Sequence, residues 1–182
     1  DGEGNFTFAI HFDSLAIWLP FDETNGTNTQ NYGSFSTDIS LLNGAVFSTD
    51  EAKFGSSSLR VPISSPNARV ELSTPIALGN GGVSNPYSVS AWFKGLYAFS
   101  ETVHGWRTLI RGSTNNHHII INKESDEIGI YRDAWFGSGK ILSPISSESN
   151  WQHLVATFDG SKTTFYIDGN LLGSVQKSPG LD

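Results

Sequence analysis

Apolar and polar residues alternate at a period of two in run after run of this chain, and no window sustains the 3.6-residue apolar period of an amphipathic helix. Gly, Asn, Asp, Pro and Ser clusters separate the runs, so each is short and ends in a turn. The pattern predicts an all-β protein with strands at Phe6–Phe12, Leu15–Phe21, Ala45–Ser48, Ser58–Ile63, Ala68–Leu72, Tyr87–Leu96, Arg107–Arg111, His117–Asn122, Glu127–Arg132, Trp151–Phe158, Thr163–Asp168 and Leu171–Val175. Such a series of short strands makes a sandwich or a barrel. In Tyr87–Leu96, Val89, Ala91 and Phe93 fall on one face and Ser88, Ser90 and Trp92 on the other, which predicts a central strand with Trp92 in the core. Thr24–Ser40, Gly79–Pro86 and Ser143–Asn150 read as long polar loops, the usual place for function or a stabilising ion on a sandwich.

Composition narrows the partners. The 182 residues include 12 Phe and 5 Trp, enough to fill a core, and suit one domain. Eleven Lys plus Arg against eighteen Asp plus Glu give a net charge of −7 with no basic run, so the phosphate-neutralising footprint of a nucleic-acid binder is missing. No apolar run approaches the roughly 20 residues of a membrane-spanning helix, and membrane insertion is not expected. Absent Cys removes disulfides, thiolate nucleophiles and Cys-ligated metals, and Met is absent as well. A start at Asp1 without Met leads us to expect a processed or excised chain, and the sequons at Asn5 and Asn25 point to a secreted product at the cell surface or outside it.

The clearest supersecondary unit is Trp151–Val175, in which Asp159-Gly160-Ser161 and Asp168-Gly169-Asn170 join three successive strands into a β-meander. Its two segments, Trp151-Gln-His-Leu-Val-Ala-Thr-Phe-Asp-Gly-Ser161 and Thr164-Phe-Tyr-Ile-Asp-Gly-Asn-Leu-Leu-Gly173, resemble the signature of laminin-G-like, concanavalin A-like domains. Leu15-Ala-Ile-Trp-Leu-Pro-Phe-Asp-Glu23, Lys53-Phe-Gly-Ser-Ser-Ser-Leu59 and Tyr87-Ser-Val-Ser-Ala-Trp-Phe-Lys94 occur in that family's order, so the resemblance spans most of residues 15–175. It implies a two-sheet antiparallel jelly-roll sandwich, a curved sheet used for ligands and frequently a calcium ion in the rim loops. It does not by itself select among lectins, adhesion domains and glycosidases.

The chain departs from the family at both ends. Only seven residues follow Val175, where members continue into a closing strand, while residues 1–14 precede the usual start. We therefore divide the chain into an extension, residues 1–14, and a sandwich domain, residues 15–182. Phe6, Phe8, Ile10 and Phe12 alternate as a strand should. An unclosed sandwich leaves an unpaired edge, which this strand fills either in its own subunit or in a neighbour. Head-to-tail insertion without closure would give a homopolymer, a filament.

Possible chemistry follows. Glu124-Ser-Asp126-Glu127 approaches a glycosidase carboxylate set, but Gly129 stands where the resemblance to laminarinases requires the last acid, so a solvated turn is expected. His117 and His118 point to opposite faces of a strand and cannot share an ion, and His153 reads as structural. Gly79-Asn-Gly-Gly82 is a turn rather than a phosphate loop. The family's calcium loop corresponds to Thr29–Ser34 with Asn31 where Asp is usual; Asp13, Asp22 and Asp38 are the other oxygen donors, with ordinary surface acids as the alternative. For an extracellular glycan the candidates are Tyr97, Trp106, Trp135 and Phe136, with Arg111 and Asn115; aromatic residues in such a fold usually serve the core, but Trp135-Phe136, between Asp133 and Gly137, reads as part of a loop and is harder to bury. The expectation is a non-enzymatic, self-assembling adhesion module, possible calcium included, with a calcium-dependent lectin as the alternative.

Overall fold

The computed structural model describes residues 15–62, 64–65, 67–77, 79–80, 83–95, 106–112, 116–122, 124–141 and 150–177. Every regular element among them is a strand. Phe6, Phe8, Ile10 and Phe12, with Asn5 and Asp13, lie outside the described residues, as do Tyr97 and Asn115. The chain divides into two compact units, Asp1–Thr74 and Pro75–Asp182.

In the first unit, β1 (Asn28–Thr29), β2 (Ile39–Leu42) and β5 (Arg69–Leu72) form an antiparallel sheet in the order β1-β2-β5, and β3 (Val46–Ser48) pairs with β4 (Ser58–Arg60). The predicted strand Leu15–Phe21 is not one. Pro20 has no N–H to donate and Phe21 adopts a φ of 57°, both hostile to a ladder. Its backbone instead bonds irregularly to residues 31–35: Tyr32 N–H donates to Trp18 O at 3.0 Å, Ser34 N–H to Leu15 O at 2.9 Å and Phe35 N–H to Ala16 O at 3.0 Å. Conversely, the expected loop Thr24–Ser40 contains β1 and opens β2, and Ile39 and Leu41, with Ala45, are the buried apolar side chains among this unit's described residues.

The second unit opens with a short hairpin of β6 (Gly79–Asn80) and β7 (Val83–Ser84), inside the expected loop Gly79–Pro86. It continues through β8 (Tyr87–Lys94), β9 (Arg107–Arg111), β10 (His117–Ile121), β11 (Glu127–Arg132), β12 (Ala134–Ile141), β13 (Trp151–Phe158), β14 (Thr163–Ile167) and β15 (Asn170–Val175). These eight make two antiparallel sheets, ordered β12-β11-β10-β9 and β15-β14-β13-β8. A register shift between His117 and Ile120 changes the parity of β10, so that Ile119 and Ile121 join Ile128 and Ile130 of β11 on the inner face of the first sheet while His117 faces outward. They meet Leu154, Ala156, Phe165 and Val175 of the second, which makes the unit a two-sheet antiparallel sandwich.

Two expectations about this unit are corrected. Trp92 is on the outer face, 36% exposed, and β8 ends its sheet among the described residues instead of lying centrally. Trp135-Phe136 is no loop but the start of β12. The meander agrees with the sequence in detail. Asp168 and Gly169 take φ values of 50° and 79°, both positive, as a two-residue hairpin of Asp-Gly type demands, and Ile167 pairs with Asn170 across it. At the other turn, Asp159 Oδ1 accepts the N–H groups of Ser161 and Lys162, which holds the carboxyl below its usual range.

Phe165 is wholly buried at the centre of the inter-sheet core. Phe165→Ala removes an aromatic ring from a close-packed site and is expected to destabilise this unit by about 3–5 kcal/mol. Urea unfolding checks this, through a lowered midpoint.

Candidate functional site

The outward positions of the β9–β12 sheet gather the richest set of ligand-competent side chains. Register sets Arg111 opposite His117, His117 opposite Tyr131 and Tyr131 opposite Trp135, one row across all four strands. The next outward row runs Thr108, Ile120, Gly129, Gly137. Trp106 immediately precedes β9. At about 4.8 Å per strand, β9 and β12 are roughly 14 Å apart, yet the Trp106 and Trp135 ring centroids are 5.3 Å apart. The two indoles therefore lean toward each other over β10 and β11. Trp106 also meets Tyr131 edge-on at 6.3 Å, and His117 meets Tyr131 edge-on at 5.8 Å.

Two glycines make this possible. A Cβ on Gly129 would come within 2.7 Å of Trp135 Cη2 and closer still to the Phe136 carbonyl, so the indole lies against bare backbone. Its cross-strand partner Gly137 is covered in the same way by the Glu127 carboxylate, and Glu127 Oε1 accepts the Gly139 N–H. The result is a half-exposed aromatic surface, Trp106 being 40% exposed, with a carboxylate alongside.

The two histidines of β10 separate as strand geometry requires. His118 is buried and shares a 2.7 Å hydrogen bond with the Tyr87 hydroxyl, whose pKa burial pushes up. His117 stays on the aromatic face, its Nδ1 2.7 Å from Thr108 Oγ1. Partial burial, then the Arg111 guanidinium, lower its pKa below the ordinary 6.5.

Of the residues anticipated for a glycan, the fold brings Trp106 and Trp135 together and sets Arg111 in the row of Trp135 through His117 and Tyr131. Phe136 is corrected: alternation turns it inward, where it packs against the inter-sheet core under Lys177 Nζ, 5.0 Å from its ring centroid. Tyr131, His117 and Glu127 share this candidate face and were not singled out for it from the sequence. The signal was period-two parity with Trp135, readable only once β12 is known to be a strand.

The acid-rich segment is a turn, as expected. Asn122 Oδ1 accepts the Glu124 N–H at 2.8 Å, and Asp126 pairs with Arg107 at 2.7 Å. On the opposite sheet Ser90 Oγ is 2.8 Å from His153 Nε2, but Asp168 takes the backbone N–H of His153 and not its ring. The imidazole stacks on Trp92 at 4.8 Å, so the arrangement lacks the third member that would orient a general base.

The calcium set fares differently. Asn31 Oδ1 accepts the N–H groups of Trp18 and Gly33, and its Nδ2 donates to Ala16 O and Phe35 O. That carboxamide is a brace between residues 15–18 and 31–35. Asp22 accepts the Ser56 N–H, and no three described His, Asp or Glu residues converge in a way that would hold a metal ion. Asn31 is thus taken up by backbone groups, and Asp13, the first of the expected acidic donors, lies outside the described residues. Asn25 is exposed beside Gly26, as an acceptor in a sequon must be.

A laminin-G family model, described as the concanavalin A-like lectin/glucanases superfamily, matches residues 64–182. The chain belongs to that superfamily. No curated protein and no solved structure matches it. Membership of the concanavalin A-like lectin/glucanases superfamily supports a lectin-like or adhesion-type module. Laminin-G-like domains are typically extracellular, and no helix among the described residues is long and apolar enough to cross a membrane.

Two outcomes follow. The folded chain resists protonation of His117 while the unfolded chain takes up that proton near pH 6.5, so this contribution to stability is complete above about pH 6.5 and declines as the pH falls below it. His117→Gln is expected to flatten that decline when urea midpoints are compared at pH 7.5 and 5. Gly129→Ala is expected to push Trp135 off the sheet, seen as a shift in Trp fluorescence with a stability loss of about 1–3 kcal/mol.

Proposed function

We propose that the chain is a non-catalytic, extracellular carbohydrate-binding module whose ligand surface is the outward face of β9–β12. One observation carries the reading: Trp106 and Trp135, from opposite edges of a four-stranded sheet, are brought to 5.3 Å on a half-exposed face. Rings fixed on a sheet present a flat apolar surface to the C–H face of a sugar at little entropic cost. Glu127 beside them accepts hydroxyl protons, and Thr108 and His117 add short-range polarity. Residues of this kind, a few polar groups around aromatic ones, are what orient a small hydroxylated ligand.

Binding without hydrolysis is favoured by the carboxylates. Glycoside hydrolysis requires two of them flanking the scissile bond. Of the pair in this segment, Glu127 lies against Gly137 while Asp126 is committed to Arg107. Self-association through Phe6–Phe12 has no described residue to argue from and is not part of this reading; nor is calcium.

A glycan array followed by titration calorimetry tests it. Trp135→Ala is expected to weaken binding by roughly tenfold or more, as loss of an aromatic anchor does, without loss of fold. Glu127→Gln keeps an oxygen for the Gly139 N–H but replaces an acceptor by a donor, and is expected to weaken binding as well. Chelation by EDTA is expected to leave affinity unchanged. Unaltered binding by Trp135→Ala would remove the face from consideration, and loss in EDTA would restore an ion.

A further inference from the structure

A second pair of exposed aromatic rings lies in the first unit, on elements the β9–β12 face does not use. Trp18 is 46% and Tyr32 52% exposed, and their rings touch at a centroid distance of 5.8 Å and an angle of 59°. Single exposed aromatics are unremarkable on a protein surface, but these two are held in place. The Asn31 brace grips the Trp18 N–H, the Tyr32 N–H returns to Trp18 O at 3.0 Å, and a Cβ on Gly33 would clash with Ala16 O at 2.3 Å. Neither backbone can shift to bury its ring without breaking that bracing.

Beside the pair, the segment 28–40 encloses a groove of about 680 Å³, within the roughly 300–1,000 Å³ range of small-molecule sites. Asn31 and Gly33, the neighbours of Tyr32 in sequence, are part of its wall, so rings and groove are contiguous along the chain. Hydroxyl and amide side chains dominate the lining, and Asp38 is the one charged residue among the described residues that form it. The far wall is fixed: Ser73 Oγ accepts the Asp38 N–H at 3.1 Å, and Thr37 Oγ1 accepts the Thr74 N–H at 3.1 Å. The Gln30 amide, the Ser36 hydroxyl and the Asp38 carboxylate have no partner among the described residues, and all three residues are exposed.

The lining selects the ligand class. With no cation among its described residues the lining offers no opposite charge to a phosphate, a sulfate or a uronate, and Asp38 repels them. With few apolar side chains it has no room for a lipid. Free hydroxyl, amide and carboxylate groups next to two clamped rings suit a ligand with hydroxyls on its edge and C–H groups on its face. We propose that the Trp18–Tyr32 pair and the adjoining groove form a second binding site, for a neutral oligosaccharide, separate from the β9–β12 face.

The full 182-residue chain is titrated calorimetrically with neutral hexasaccharides (cello-, laminari- and chito-oligomers) and with oligogalacturonate as the anionic counterpart. Wild-type protein is expected to take two equivalents of a neutral oligomer and none of the anionic one at this site. Tyr32→Ala is expected to weaken one site by roughly two- to tenfold. Ser36→Trp, which fills the groove from an exposed position, is expected to remove that site, while Trp135→Ala affects only the other. Thermal denaturation of each variant verifies the fold. Unchanged binding by both Tyr32→Ala and Ser36→Trp overturns the second site and leaves the sheet face standing. Binding abolished by those two but untouched by Trp135→Ala overturns the sheet face instead. Oligogalacturonate binding lost in Ser36→Trp overturns the neutral class, and a wild-type chain that takes none of the oligomers overturns both sites.

Discussion

Apolar contact between two sheets is the constraint on which the second unit depends. Four isoleucines on adjacent strands of one sheet, Ile119, Ile121, Ile128 and Ile130, face Phe165, Leu154, Ala156 and Val175 of the other. β-Branched side chains suit such a pleated, close-packed layer, and burying each contributes about 1.5–3 kcal/mol. Because the strand period is two, this inner layer also dictates which residues point outward. Once Ile130 and Phe136 are turned in, Tyr131 and Trp135 have no other direction to take.

The outward face then depends on what is missing from it. Gly129 and Gly137 oppose each other in the ladder, and each is roofed by a neighbour's side chain instead of its own. A glycine pair weakens a sheet locally, since it packs nothing and restricts the backbone least. Here the flat seat it leaves brings an indole from β12 and one from before β9 into contact. In the first unit a side chain stands in for a ladder, since Asn31 makes four hydrogen bonds to backbone groups that a regular strand would have paired. Both devices hold aromatic rings at the surface by backbone-level restraint.

Most of the architecture was legible because it is written in period two and in turn chemistry. Arg107–Arg111, Glu127–Arg132 and Trp151–Phe158 are strands over the expected residues, and Tyr87–Lys94, Thr163–Ile167 and Asn170–Val175 fall within one or two residues of the expected bounds. Leu15–Phe21 misled because its alternation is that of a strand, while Pro20 and the left-handed Phe21 deny it a ladder. Ala134–Ile141 was obscured by Gly137 and Gly139, which interrupt its alternation; only the register shows Gly137 beneath the Glu127 carboxylate. Site residues were legible by type more than by place. Trp106, Trp135 and Arg111 were found as aromatic and planar groups, but Phe136 was included because parity is invisible in a segment mistaken for a loop. Asn31 was recognised as special, yet its four bonds are tertiary and no sequence pattern encodes them.

Alternation in β11 and β12 has an evolutionary corollary. Ile128, Ile130 and Phe136 serve the inter-sheet core, while Tyr131, Trp135 and Glu127 alternate onto the other face, so packing and surface chemistry rest on different residues of the same two strands. The surface can therefore change by substitution while the inter-sheet contacts beneath it are kept.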